Sequence, residues 1–172
     1  MLDFAIKYEQ QVQALLLDTA YNEKYKYMRF TSWVDKWKPA ENTWETHEFV
    51  SIHNGKILGF MKYSIDRDAN IAYGMQIGSF TDEPSIIFGR DLERFLRDIF
   101  EKFKLRKLKF SVGIGNPIER SYDRWIEKYG GRIVGVQLQN DKLFDGTYVD
   151  VKMYEIFRDD YLKAIANDEG VK

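Results

Sequence analysis

The sequence predicts an α/β fold, a mixed sheet with helices on both faces. Three observations carry that reading. Apolar residues alternate at a two-residue period over Leu108, Phe110 and Val112, the mark of a half-buried strand. They recur at the helical period over Leu92, Phe95, Leu96, Ile99, Phe100 and Phe103. The order of elements is strand, helix, helix, three strands, helix, strand, helix, two strands. The long helix is then a crossover, so the strands containing Ile77 and Phe110 are expected to run parallel.

Leu2, Phe4, Ile6 and Tyr8 alternate with Asp3, Ala5 and Lys7 and read as a first strand. Residues 10–23 place Val12, Leu15, Leu16 and Thr19 on one face of an amphipathic helix. Residues 25–44 are aromatic and charged, with a short helix expected over 27–37, ahead of Pro39. Residues 46–80 read as a meander. Asn54-Gly55 is a strong hairpin signal between the strands around Val50 and Leu58, and residues 66–70 make the next turn. The third strand, 71–80, is loosened by Gly74 and Gly78, and such glycines mark bulges or close approach of another group. The last strand covers 148–157, and a polar tail over 162–172 is expected to fray.

The chain has 172 residues, 44% hydrophobic and 31% charged, which suits one domain over 1–172 with its own core. Aromatics reach 16%, read first as core. Net charge is −1, so no global field attracts nucleic acid or a membrane surface. The basic run Lys102, Lys104, Arg106, Lys107 and Lys109 reads as the solvated end of a helix and a strand edge. With no Cys, disulfides, thiolate metal sites and a Cys nucleophile are excluded. His47 and His53 are too isolated to suggest a metal site. No apolar run approaches a membrane span. The start Met1-Leu2-Asp3-Phe4 lacks a signal peptide's basic and apolar regions, so a cytoplasmic protein is expected.

The stretch from 105 to 135 organises the rest. After the strand ending at Val112 come Gly113, Gly115, Asn116 and Pro117. Asn116 suits a helix N-cap, Pro117 the first helical position and Glu119 a capping box. Ile118, Tyr122, Trp125, Ile126 and Tyr129 form a helical stripe that stops at Gly130-Gly131, and a new strand starts at Arg132.

This order, with Asn116, Glu127-Lys128-Tyr129-Gly130, Gly135 and the later Asp145-Gly146-Thr147-Tyr148-Val149-Asp150-Val151, resembles the C-terminal half of GNAT acyltransferases, the general N-acetyltransferase superfamily. The resemblance spans roughly residues 48–161. It implies an α+β mixed sheet, mostly antiparallel, whose one parallel strand pair splays at its C-terminal ends, with Asn116 facing the gap. It also implies acetyl-CoA as co-substrate. The pyrophosphate would lie where the third meander strand passes into the long helix, a stretch that includes Ile77, Gly78, Ser79, Phe88, Gly89 and Arg90. A helix start attracts anions through unpaired N–H groups and its positive dipole end. The superfamily's loop pattern falls on Pro84, Ile87 and Gly89, and only Gly89 matches. Asn116 matches the Asn that bonds the coenzyme arm, a role compatible with capping.

A Tyr in the following helix often protonates the leaving thiolate in this superfamily. Tyr122 is the nearest candidate, one residue short of the usual spacing, and its stripe equally suits core packing. By residue class, Glu48, His53, Asp66 and Asp150 are candidate bases for the amine. The implied function is acetyl transfer from acetyl-CoA to an amine acceptor, directly, within a ternary complex. The competing reading is a GNAT-like interaction module that has lost the coenzyme. By the same resemblance residues 25–44 would form the acceptor wall, with Trp33, Trp37 and Trp44 lining a groove.

Overall fold

A computed structural model of the chain describes residues 1–20, 27, 38–143 and 145–169. Strand β1, Leu2–Phe4, is shorter than its alternation suggested and passes into a 3-10 turn over Ala5–Tyr8. Helix α1 covers Glu9–Ala20. The meander follows as β2 Thr46–His53, β3 Lys56–Asp66 and β4 Ile71–Ser79. The β2–β3 hairpin turns at Asn54-Gly55, both with positive φ, as that dipeptide favours. Helix α2, Ile86–Arg97, ends in a π turn over Asp98–Lys102. Then come β5 Lys107–Gly113, α3 Glu119–Tyr129, β6 Arg132–Lys142, β7 Tyr148–Phe157 and α4 Arg158–Glu169. Among the described residues no helix is long and apolar enough to cross a membrane.

One sheet of order β1-β2-β3-β4-β5-β7-β6 collects all seven strands. Neighbours are antiparallel except β4 and β5, the expected parallel pair. These two pair only through Ile71 with Lys107 and Ala72 with Leu108. Beyond that point they continue to Ser79 and Gly113 without pairing to each other.

The helices occupy both faces. Helix α1 closes a small core of Val12, Leu16, Val50 and Phe60. The larger core, on the opposite face, joins Met61, Tyr63, Phe95, Ile99, Phe110 and Tyr154 beneath α2, α3 and α4. The tail differs from its sequence expectation. Tyr161 is buried and stacks on Phe100 at 4.7 Å, and Leu162 and Ile165 pack on the same core, so helix extends through residue 169. The helix expected over 27–37 lies outside the described residues, apart from Tyr27.

Candidate active site

The short β4–β5 pairing leaves the facing edges of both strands without ladder partners over most of their length. A bulge reinforces the opening. Tyr73 pairs with Ser64 and Gln76 with Lys62, so Gly74 and Met75 stand opposite Tyr63 alone. Gly74 has φ of 62°, which costs glycine nothing and allows the strand to bend here. A cavity of about 530 Å³ opens at this point on the face away from α2 and α3. Tyr73, Met75, Lys109, Ser111 and Met153 line it.

Helix α2 begins beside the C-terminal end of β4. Ser85 caps it: the Phe88 N–H donates to Ser85 Oγ at 3.2 Å and the Gly89 N–H to the Ser85 carbonyl at 2.9 Å. Phe88 and Gly89 thus use their own donors within the cap. Phe88 is buried in the larger core. Ile86 and Ile87 are the first-turn residues whose N–H groups no described residue accepts. A side chain grown on Gly89 would meet nothing within 4 Å, so the surface above it is open. Arg90 is exposed beside it, while Asp91 is turned inward, accepting from Ser51 Oγ at 2.7 Å. Ile77, Gly78 and Ser79 form the end of β4, hydrogen-bonded on one side to β3 and open on the β5 side.

Asn116 sits in the turn after β5, at the open end of the cleft. The Ile118 N–H donates to its Oδ1 at 3.1 Å, and the Gly115 N–H donates to Glu119 Oε2 at 2.9 Å. These bonds close one residue earlier than a capping box on Asn116, and regular helix begins at Glu119. The Asn116 side-chain N–H groups have no partner among the described residues. Tyr122 is buried against Phe110, Trp125 and Tyr154, with ring centroids 4.9, 5.1 and 5.9 Å away. Burial pushes its hydroxyl well above the usual tyrosine range, so it stays protonated. No described residue hydrogen-bonds that hydroxyl.

The four candidate bases occupy different settings. Asp66 accepts the Ala69 N–H in the β3–β4 turn, and Asp150 accepts the Gln139 N–H. His53 is exposed at the hairpin end. Glu48 is 1% exposed on β2. Its Oε2 accepts the Ala40 N–H at 2.9 Å, and its Oε1 has no partner among the described residues. Burial raises the Glu48 carboxyl above its usual range, outweighing the Ala40 N–H and the cross-strand Lys62, which lower it. The native chain therefore holds this proton more tightly than the unfolded chain. That contribution is fully present below the ordinary carboxylate range, ~4.3, and is lost as pH rises through the raised value. Glu48→Gln keeps an oxygen for Ala40 and buries no charge. It should melt about 2–4 °C above the parent at pH 7.5, for a gain of about 1 kcal/mol, and the gap should narrow toward pH 4. A variant less stable than the parent at pH 7.5 would show that the carboxylate is held charged by a cationic partner.

Glu155 lies at the floor of the cavity between Lys107 and Arg132. Burial alone would raise its carboxyl, but hydrogen bonds from those two cations hold it below the usual range.

Of the aromatic stretch, Trp33 and Trp37 lie outside the described residues. Trp44 is 72% exposed, with the Arg67 guanidinium 4.1 Å from its ring centre. Tyr27 reaches the cleft: a side chain on Gly115 would stand 2.5 Å from the Tyr27 hydroxyl oxygen. One feature was readable but missed: Ser85 before an apolar helix is an N-cap signal. Asp141, which lines the cavity, gave no such signal, because its stretch is too irregular for a strand pattern.

No family model matches the sequence, and neither does any curated protein. Solved structures do. A probable acetyltransferase superposes with a TM-score of 0.71 at 15% identity, over 93% of each chain. The Vibrio cholerae spermidine N-acetyltransferase in complex with CoA and spermine gives 0.67 at 20% identity, over 94% of this chain and 97% of that one. A ribosomal-protein-alanine N-acetyltransferase from Brucella melitensis gives 0.67 at 15%, over 91% and 99%. With the strand order, the single parallel pair and its divergence, these matches show that the chain has the fold of the GNAT acetyltransferases that its sequence resembles.

Proposed function

We propose that the protein transfers an acetyl group from acetyl-CoA to an amine acceptor, directly, within a ternary complex. The cleft between β4 and β5 is the observation that carries this reading. It offers unpaired backbone donors beside an open cavity, on a fold shared with acetyltransferases, one of which was solved with CoA and spermine.

In this reading the first turn of α2 receives the pyrophosphate, with N–H groups of Ile86 and Ile87, the open surface over Gly89 and the charge of Arg90. The end of β4, Ile77 to Ser79, and the side-chain amide N–H of Asn116 hold the coenzyme arm. Acetyl-CoA supplies an activated thioester. The chain's part is to position both reactants and to stabilise charge on the carbonyl oxygen through backbone donors at the bulge. The amine, having lost a proton to water, forms its bond to the carbonyl carbon as the carbon–sulfur bond breaks. Tyr122 gives its proton to the thiolate and regains one from the acylated nitrogen.

Acetyl transfer measured with Tyr122→Phe tests the assignment. Acetyl-CoA affinity should stay within twofold while kcat falls about a hundredfold, the scale of a lost general acid. Turnover at the parent rate would place the acid elsewhere. A second reading, an interaction module without coenzyme, is favoured by one observation: Phe88 and Gly89 commit their N–H groups to Ser85, leaving fewer donors than an open phosphate loop has.

A further inference from the structure

The charges around the cavity at the β4–β5 opening are not equally engaged. Lys107 and Arg132 hold Glu155 between them. Asp141 accepts the Asn140 side-chain N–H at 3.0 Å. Lys109, exposed on the β5 wall, has no side-chain hydrogen bond or ion pair among the described residues. Its Nζ stands 5.9 Å from the Tyr73 ring centre, at the outer limit of a cation–π contact. Ser111 follows two residues later on the same face of β5, and its hydroxyl also has no partner among the described residues. Tyr73 directly precedes the β4 bulge at Gly74-Met75. The cation therefore lies beside the stretch that faces the thioester carbonyl in the acetyl-transfer reading.

The rest of the cavity is apolar or neutral. Met75, Val151 and Met153 form its floor. Gly135 pairs with Met153, and a Cβ built on it would meet only the Met153 methyl, at 3.8 Å, so the floor stays open toward β6. There the pairing with β7 breaks between Gln137 and Asp141, a bulge in which the Gln139 N–H donates to Asp150 Oδ1 at 2.7 Å. The Gln137 and Asn140 amides line that far wall. The volume, about 530 Å³, lies within the range of small-molecule pockets.

We propose that this cavity is the acceptor subsite and that it takes a free α-amino acid with an apolar side chain. The carboxylate binds Lys109 and Ser111, the side chain lies over Met153, and the amine reaches the bulge. This proposal rests on the acetyl-transfer reading and names the acceptor class for it. Lys109 neighbours the residue before the bulge, so the acceptor's anion and its nucleophile are only a few bonds apart. The pairing also serves the chemistry. A bare carboxylate beside an amine favours the ammonium form. With its charge matched by Lys109, that pull is cancelled and the amine loses its proton to water more readily. The nitrogen–carbon bond then forms as the carbon–sulfur bond breaks, and the thiolate takes a proton from Tyr122.

The test compares L-phenylalanine with phenethylamine, the same skeleton without the carboxylate. The parent should acetylate phenylalanine with a kcat/KM at least tenfold above that of phenethylamine. Lys109→Met should raise the phenylalanine KM about tenfold or more, the scale of a lost hydrogen bond to a charged group. It should leave the phenethylamine KM and the acetyl-CoA Kd within twofold. Lys109→Arg, which keeps the charge, should recover part of the phenylalanine KM, and Ser111→Ala should raise it in the same direction as Lys109→Met. Equal turnover of the two acceptors by the parent, or preference for phenethylamine, overturns the proposal. So does a Lys109→Met protein whose phenylalanine KM is unchanged or whose two KM values rise together. Loss of kcat with both acceptors at unchanged KM would place Lys109 at the thioester and overturn it as well. Turnover of neither acceptor by a parent that binds acetyl-CoA overturns the acceptor class. Failure of the parent to bind acetyl-CoA overturns the acetyl-transfer reading instead, so the two failures are distinct.

Discussion

Acetyl-CoA at ~100 times its dissociation constant should stabilise the folded chain by ~2.7 kcal/mol. For a domain of this length that is a rise in melting temperature of roughly 5–10 °C. Gly89→Asp should remove the rise. The space over Gly89 is empty, so the new side chain meets no protein atom and the variant folds. An acidic residue in the first turn is favourable to a helix by itself, so the unliganded melting temperature should hold or increase slightly. What Gly89→Asp changes is the surface offered to an anion, now blocked by bulk and a negative charge. Differential scanning fluorimetry with and without acetyl-CoA reads both arms. No rise in the folded parent would favour the interaction-module reading. A rise that survives Gly89→Asp would put the coenzyme somewhere other than the start of α2.

Gly59→Ala should cost about 3 kcal/mol, a drop of roughly 6–12 °C in melting temperature. A Cβ on Gly59 would stand 2.3 Å from the Gly78 carbonyl oxygen and 2.5 Å from the Phe88 ring. Neither neighbour yields easily. The first is backbone of the adjacent strand, paired through Phe60 with Gly78 and Gly59 with Ser79. The second is a buried ring in the first turn of α2, whose own N–H is held by Ser85. Moving either one displaces the end of β4 relative to the start of α2. The same variant should therefore weaken acetyl-CoA binding as well as stability, although Gly59 lies on β3, on the side of β4 away from the β4–β5 gap. A melting temperature within 1 °C of the parent would show that β3 and β4 have more slack than their spacing suggests.

The parallel pair followed from the sequence because Leu92, Phe95, Leu96 and Ile99 demanded a long helix between two strands, and such a connection is a crossover. The hairpin at Asn54-Gly55 was legible because its turn chemistry is local. The β6 bulge was not, because its cause is remote: Asp150, on another strand, supplies the acceptor for Gln139. The burial of Glu48 was equally hidden. Alternation along β2 separates two faces but does not say that residues leading into the strand cover Glu48, whose carboxylate accepts the Ala40 N–H here. The last helix was missed for its polar composition, though Tyr161, Leu162 and Ile165 have helical spacing. At the candidate site Gly89 and Asn116 were assigned by resemblance to the stretches that follow β4 and β5. Ser85, whose cap decides which N–H groups remain open at α2, was passed over.

The parting of β4 and β5 bears on how the protein avoids sticking to itself. An unpaired strand edge is a template for any passing chain, and folds usually blunt such edges. The two outer rims follow that practice. Strand β1 has only three residues, and β6, despite exposed Ile133, Val136 and Leu138, is broken by its bulge and ends in Arg132 and Lys142. The inner edges of β4 and β5 are left unblunted, because each is faced by the other and flanked by α2 and α3. A foreign strand would have to enter edge-on between two strands of one sheet. Open backbone donors can therefore persist in the interior of this sheet without becoming a seed for aggregation, which is a condition for keeping them ready for a ligand.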